Sequence, residues 1–290
     1  MTSRRTFLTQ AGLVTAGVLL GPKLLLSKAR SKVNLQLYTL REQLPNNVSE
    51  VIGKVSSAGY SGVETYGYSK ANGFWGMKPA EFKALLKKNN LTSPSGHYGI
   101  YEIFAEGKLD EVKDFIGAAK TLGQEYITVP YLGDNFRRTP DDFKKIAGKL
   151  NDLGQLCKQS GIKLAYHNHD FEFKPVDGVI LYDVLQKETD PALVKLELDL
   201  YWVVRAGHDP IKIFQQQPQR VTMVHVKDMD KAEPRLNTEV GKGSIDFGKI
   251  LTSAKASGVK HFIVEQENFA IDPYQSIGES LKYIQENFSI

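Results

Sequence analysis

The sequence has few of the features that mark disulfide-stabilised or nucleic-acid-binding proteins. Cys157 is the only cysteine among 290 residues, so an intrachain disulfide is excluded. It lies in a predicted helix, where we expect a buried, inert thiol. The formal net charge is only +4, and four basic residues of the first 29 account for it, leaving 33 basic and 33 acidic residues in the rest of the chain. A neutral body lacks the positive charge with which proteins bind nucleic acid.

Nucleotide-binding motifs are missing as well. No Gly-x-Gly-x-x-Gly turn follows the first predicted strand, and no P-loop pattern occurs anywhere in the sequence. Their absence argues against a dinucleotide-binding sheet and against an NTPase. Low-complexity segments and linkers are also missing, which favours one continuous domain after the amino terminus.

The first 29 residues resemble an export signal of the twin-arginine type. Arg4 and Arg5 precede a mostly apolar run over residues 11–26, and small residues flank a cleavage position after Ala29. Pro22 and Lys23 interrupt the run and argue against a stable membrane span in the mature form. We therefore expect an exported, periplasmic protein whose mature domain covers residues 30–290.

Short apolar runs alternate with amphipathic stretches along the mature chain, which is typical of a parallel sheet covered by helices. Eight such pairs favour a single (β/α)8 barrel over an open, doubly wound sheet. The predicted strands are 33–38, 62–65, 91–97, 126–129, 163–166, 194–198, 221–224 and 261–264. The predicted helices are 48–58, 79–88, 109–122, 140–159, 179–187, 210–216, 247–257 and 273–286.

The last four strands each lead directly to a side chain of the kind that binds metals. These residues are His167, Asp199, His225 and Glu265. The carboxyl ends of barrel strands converge on one mouth, and alternation of side chains along each strand allows all four to point into it. Two imidazoles and two carboxylates suit Mn²⁺, Co²⁺, Zn²⁺ or Fe²⁺ better than Ca²⁺ or Mg²⁺, which prefer oxygen ligands. The sequence therefore predicts one divalent metal ion.

Several short motifs together resemble the xylose isomerase-like TIM barrels, in the group named sugar phosphate isomerases and epimerases. The resemblance covers nearly the whole chain after residue 29. It rests on the order and spacing of Leu35-Gln36-Leu37-Tyr38, Gly62-Val63-Glu64, Tyr166-His167-Asn168-His169, Glu197-Leu198-Asp199-Leu200-Tyr201-Trp202, His225-Val226-Lys227-Asp228 and Val264-Glu265-Gln266.

The resemblance implies an enzyme acting on a sugar through an enediolate. In the family's epimerases the ligands run Glu, Asp, His, Glu, and the two glutamates also move the proton. Asp199, His225 and Glu265 match the last three positions, but His167 replaces the first glutamate. A metal-bound imidazole is a poor substitute for a carboxylate base, so a symmetric two-glutamate epimerisation is put in doubt.

Histidine-rich versions of this strand end also resemble family members that dehydrate keto-inositols or eliminate from 3-keto-sugars. Our first prediction is a metal-dependent sugar isomerase or epimerase, and the alternative is a lyase or hydratase acting on 3-keto-sugars or 3-keto-glycosides. The predicted catalytic base is Glu265 or His169. Glu197 is expected to orient a ligand from the layer beneath. The candidate substrate-binding residues are Glu64, His97, Trp202, Lys227 and Tyr38.

Two further classes of function have less support from the sequence. Endonuclease IV is similar in barrel and family, but its three-zinc cluster needs more histidines than the six present here, together with a basic DNA-binding face. A non-catalytic sugar-binding barrel is the other. We expect a small sugar or glycoside as substrate, unphosphorylated outside the cell, and no nucleic acid. The oligomeric state, including a homo-oligomer, stays open.

Overall fold

The computed structural model describes residues 32–290, and the predicted export signal lies outside them. Eight parallel strands form the barrel wall, in the order β2-β1-β8-β7-β6-β5-β4-β3. They are β1 (Val33–Gln36), β2 (Gly62–Glu64), β3 (Ser95–His97), β4 (Tyr126–Val129), β5 (Lys163–His167), β6 (Val194–Asp199), β7 (Val221–Val226) and β8 (His261–Val264). The predicted (β/α)8 architecture is confirmed.

The barrel is nearly closed, with one thin seam between β2 and β3. Neighbouring strands elsewhere pair over several residues, whereas this seam is joined by two isolated parallel bridges, Gly62 to Thr92 and Thr65 to Gly96. Gly96 is required at the seam because a Cβ there would lie 2.3 Å from Oγ1 of Thr65.

Ten helices occur in the part of the chain that the structure describes. They are α1 (Val48–Ala58), α2 (Pro79–Lys88), α3 (Ile100–Ala105), α4 (Leu109–Leu122), α5 (Pro140–Gln159), α6 (Leu181–Glu188), α7 (Leu200–Arg205), α8 (Pro210–Gln216), α9 (Phe247–Ala256) and α10 (Pro273–Asn287). None of them is both long and apolar enough to span a bilayer.

Local sequence explains where the long helices begin and end. Thr139 and Asp142 form a reciprocal capping box at the start of α5, and Pro140 fits its first turn. Gly59 and Gly123 end α1 and α4 in the left-handed conformation that glycine adopts without strain. The apolar faces of these helices pack on the barrel, and Cys157 is buried there as predicted, where burial raises the pKa of its thiol to about 12.

Several predicted boundaries were wrong by a few residues. The first strand stops at Gln36, because its side-chain oxygen accepts the N–H of Tyr38 and starts a 3-10 turn over Leu37–Leu40. The third strand begins at Ser95 rather than at residue 91. The helix predicted from Val179 begins at Leu181, since Val179–Ile180 pairs with Pro175–Val176 in a small hairpin.

The long connection after β7 is ordered by one buried carboxylate. Asp228 begins a short ribbon in which Asp228–Met229 pairs with Asn237–Thr238. Its two carboxylate oxygens accept the backbone N–H groups of Met229, Gly241, Gly243 and Ile245. One side chain therefore fixes the shape of the loop beside the barrel mouth.

Candidate metal centre and substrate pocket

The structure brings the four predicted ligands together at the carboxyl ends of β5 to β8. All four side chains are buried. Oδ2 of Asp199 lies 3.9 Å from Nε2 of His167 and 3.9 Å from Nδ1 of His225, and Oε2 of Glu265 lies 3.1 Å from the same Nδ1. Asp199 thus lies within 4 Å of both imidazoles, and Glu265 lies beside that of His225. We call these four side chains the upper ring of the site.

The upper ring has the chemistry of a cation site. Oδ2 of Asp199 is buried without a hydrogen-bond partner, which is costly for a carboxylate unless a proton or a cation is shared with it. Asp199, His225 and Glu265 also form one of two described groups whose donor atoms all lie within 4.8 Å of one another, whereas His167 belongs to the other group, with His97, Glu197 and His225. This cluster of imidazole and carboxylate donors fits a divalent metal ion.

A second layer of polar side chains lies beneath the upper ring. Nε2 of His225 is 2.7 Å from Oε2 of Glu64, and Nδ1 of His167 is 3.2 Å from Oε2 of Glu197. His97 joins both acids, at 2.7 Å from Glu197 and 3.3 Å from Glu64. Each candidate histidine ligand therefore has its second ring nitrogen on a buried carboxylate, the usual arrangement for fixing a metal-binding imidazole.

The two lower carboxylates differ in protonation. Burial alone would raise the pKa of Glu64, but the charge of His97 and the hydrogen bond with His225 lower it to about 2. Burial and the negative charge of Glu64 raise the pKa of Glu197 to about 7. Two acids so close to each other do not both ionise readily, so Glu64 carries the charge and Glu197 shares a proton with its histidine neighbours.

His225 lies between carboxylates on both sides. Burial opposes its protonation, but the charges of Glu197 and Glu265 raise its pKa well above the ordinary histidine value. Both ring nitrogens then donate, Nε2 to Glu64 and Nδ1 to Glu265. A cation in the upper ring would take the place of the Nδ1 proton, which is how metal binding commonly releases protons.

Lys227 supplies a buried positive charge at the rim of the upper ring. Its Nζ lies 3.2 Å from Oε2 of Glu265 and 4.0 Å from Oδ2 of Asp199, and it also contacts Glu267. Burial opposes its charge, but Glu265 and Asp199 raise its pKa above the ordinary lysine value. The ammonium group is therefore charged at neutral pH and close enough to act on a substrate oxygen bound there.

His169 lies one layer above His167, with ring centroids 5.1 Å apart. Burial, together with the charge of Lys227, lowers its pKa to about 3, so the imidazole is neutral at pH 7. Its Nδ1 has no hydrogen-bond partner. Its backbone N–H donates to the buried carboxylate of Glu172, which also accepts the hydroxyl of Tyr166.

A cavity of about 500 Å³ opens above these groups. Among the predicted substrate-binding residues, Tyr38, His97 and Trp202 line it, whereas Glu64 is buried below and Lys227 reaches it through Glu265 and Glu267. The sequence reasoning missed Tyr66, Tyr131 and Glu267. Each follows a barrel strand by two or three residues, so a search for large or charged residues just past the strand ends would have found them.

The family model described as "Xylose isomerase-like TIM barrel" matches residues 52–287. The chain belongs to this family. A solved sugar phosphate isomerase/epimerase from Parabacteroides distasonis is 26% identical, with a TM-score of 0.78, over 89% of this chain and 95% of that one. The zinc-bound IolI protein shares the fold, with a TM-score of 0.70, 16% identity and coverage of 89% and 100%.

Relatives in the family with assigned names include dehydratases. An inosose dehydratase from Clostridium tetani is 28% identical over 171 residues, which is 52% of this chain and 57% of that protein. The inosose dehydratase of Lacticaseibacillus casei is 24% identical over 278 residues, 83% of this chain and 90% of that protein. The predicted family is confirmed, and the proteins similar to this chain include dehydratases and a sugar phosphate isomerase/epimerase.

Proposed function

We propose that this protein is a divalent-metal-dependent lyase that eliminates water or an alcohol from a keto-sugar or keto-cyclitol. The observation that carries the proposal is His167 at the end of β5, with Nδ1 on Glu197 and Nε2 facing the upper ring. The position where related epimerases place a second proton-transferring glutamate is thereby occupied by an imidazole. The similarity to inosose dehydratases supports the same choice.

His167, Asp199, His225 and Glu265 are the proposed metal ligands. These residues would hold a divalent ion, which would supply Lewis-acid polarisation of a substrate carbonyl and so acidify the neighbouring C–H bond. Lys227 would stabilise negative charge on a substrate oxygen, because its buried ammonium lies at the rim of the upper ring. Glu64, Glu197 and His97 position the imidazoles from beneath.

His169 is the proposed base. It lines the cavity and has an unpartnered Nδ1. Glu265 is a weaker choice, because it is itself a proposed metal ligand and its carboxylate already contacts Lys227 and His225. His169 takes the proton from the carbon beside the carbonyl, a carbon–carbon double bond forms, and the C–O bond at the next carbon breaks. The same proton can then pass to the departing oxygen, which leaves as water or an alcohol.

Isomerisation or epimerisation is the second candidate. The solved relative from Parabacteroides distasonis carries that name, and the fold and polar ring suit either outcome. The two reactions share the removal of the proton and differ in the step after it. An epimerase returns a proton to carbon, whereas a lyase expels an oxygen.

The deciding experiment incubates the full chain with each candidate metal, with an inosose and with a 3-keto-glucoside in deuterated water. We expect an unsaturated product that has lost water or alcohol. Deuterium incorporated into an epimer without loss of oxygen would instead establish the isomerase. Three variants locate the roles: His167→Ala should lose bound metal, His169→Ala should keep metal but lose roughly 100-fold in kcat, and His208→Ala, in the exposed turn before α8, should change neither. Full activity in His169→Ala would remove it as the base.

A further inference from the structure

Two aromatic walls stand above the polar floor of the cavity, on opposite sides of the barrel mouth. Tyr38 and Tyr66 follow β1 and β2, and their rings meet edge to face with centroids 5.1 Å apart. Across the mouth, past β4, β5 and β6, the ring of His169 lies 5.3 Å from Tyr131 and 5.4 Å from Trp202. The β1–β2 and β5–β6 sectors are opposite in an eight-stranded ring, so the space between the walls is a cleft.

The walls present apolar surface to solvent. Tyr38 and Tyr131 are among the few large hydrophobic residues that are exposed in the described chain, at 39% and 43%. Trp75 supports Tyr66 from behind at 5.2 Å, and Phe171 supports Tyr131 at 5.8 Å. Exposed aromatic surface built in two supported layers beside a polar floor is the usual form of a ligand site.

The charged groups beside the walls are already engaged. Arg41 donates to the carbonyl oxygens of Tyr38 and Glu267. Arg137 bonds Asp134 and the hydroxyl of Tyr131, and Lys227 is committed to Glu265 and Glu267. Each of these cations has partners of its own, although Nε of Arg137 is buried without one. The surface that the two walls turn towards the cleft consists of aromatic rings.

Resting on the proposed function, we propose that the cleft is a second subsite that binds a planar, apolar leaving group. The substrate is then a keto-glycoside whose sugar carbonyl lies on the polar floor and whose aromatic aglycone lies between the walls. The C–H bond beside the carbonyl and the C–O bond to the aglycone break, and the aglycone leaves as an alcohol with the proton taken from carbon. A bare cyclitol or free sugar would leave the cleft unfilled.

The test compares benzyl and methyl 3-keto-glucosides. Benzyl and methyl alcohol are leaving groups of similar basicity, so a rate difference reports recognition of the ring. We expect kcat/KM for the benzyl compound to be about tenfold higher, and Tyr38→Ala and Tyr131→Ala each to reduce the benzyl-to-methyl ratio roughly three- to tenfold. Tyr131→Phe should keep the ratio, because the ring remains. Leu109→Ala, an exposed residue at the start of α4, is the matched control and should keep it as well.

Binding provides a readout that does not depend on turnover. The chain has two tryptophans, and Trp202 lies in one wall while Trp75 lies behind the other. Unreactive benzyl glucoside should change their fluorescence at several-fold lower concentration than methyl glucoside, and Tyr131→Ala should remove the difference. If benzyl glucoside binds preferentially but neither the keto-glycosides nor an inosose is converted, the lyase proposal fails and the subsite stands. The aromatic subsite would be refuted by an equal benzyl-to-methyl ratio of kcat/KM in the wild type and both alanine variants. A preference for a second sugar ring over the benzyl group would refute it as well.

Discussion

Nε2 of His225 lies 2.7 Å from Oε2 of Glu64, although β1 and β8 separate their strands in the barrel wall. This contact fixes the imidazole so that Nδ1 faces the upper ring. We expect Glu64→Gln to weaken Zn²⁺ or Co²⁺ binding about 10- to 100-fold, because a neutral amide orients and polarises the ring less well.

Competition with a metal chelator measures this affinity. Glu286→Gln, an exposed acid near the end of α10, is the control and should bind metal like the wild type. An unchanged affinity in Glu64→Gln would mean that the lower layer does not support the ligands.

Lys227→Met should strengthen cation binding while weakening catalysis. The ammonium lies 4.0 Å from Asp199 and 3.2 Å from Glu265, so it repels a cation placed between them and competes for their charge. Removing the ammonium group should tighten cation binding by at least about tenfold. This gain is only a small part of the largest Coulomb repulsion that two like charges at such a distance can have. Calorimetry with Co²⁺ gives the affinity, and kcat should fall if Lys227 also holds a substrate oxygen. Lys260→Met, at the opposite end of the barrel, is the control, and weaker metal binding in Lys227→Met would refute the assignment.

Asp228→Ala should loosen the loop after β7. Four backbone N–H groups would lose the buried carboxylate that accepts them, at a cost of roughly 3 kcal/mol or more in the free energy of unfolding. Urea denaturation measures that cost, and limited proteolysis should cut within residues 229–245. Asp230→Ala removes a less buried carboxylate that caps Ala232 and Glu233 in the same loop, and it should cost less than about 1 kcal/mol. Equal losses in the two variants would show that Asp228 has no special part in ordering the loop.

Glu172 should make stability depend on pH. Burial raises its pKa from 4.5 to about 7, against the opposing hydrogen bonds from Tyr166 and His169. The folded state then holds a proton that the unfolded state has released, so the contribution of Glu172 to stability is present below about pH 4.5 and is lost as pH rises to about 7. A full shift of this size corresponds to about 3 kcal/mol.

Glu172→Gln carries a permanently neutral side chain and should remove this loss. We expect the variant and the wild type to melt at similar temperatures at pH 5, and the variant to melt several degrees higher at pH 8. Glu188→Gln, at the exposed end of α6, controls for the change in net charge. A wild-type advantage at pH 8 would mean that the hydrogen bonds to the ionised carboxylate outweigh its burial.

The barrel and the four strand-end residues could be predicted because both depend on local pattern. Each of the runs before His167, Asp199, His225 and Glu265 is long enough to define a strand, and topology then brings their ends together. The start of α6 could not be predicted in the same way. Pro175–Val176 and Val179–Ile180 are too short to show a period, and their pairing depends on the turn between them.

The lower layer was only partly accessible from sequence. Alternation along β6 placed Glu197 beneath Asp199, but the contacts of Glu64 with His225 and of His97 with Glu197 join distant strands. Which side of the barrel each ring faces depends on strand tilt and stagger, which no single strand encodes. Tyr38 and Trp202 of the aromatic walls were predicted from the sequence, whereas the opposition of the two walls across the mouth follows only from the closed barrel.

The seam between β2 and β3 changes what the histidine of β3 does for the fold. Where the backbone ladder is reduced to two bridges, the ring of His97 reaches from one strand end to Glu64 on the other and onward to Glu197. The wall is thus fastened at its weakest join by a side chain in addition to the few main-chain hydrogen bonds there. A change to Glu64 or Glu197 at the centre would consequently weaken the contact between β2 and β3 before that between any other pair of barrel strands.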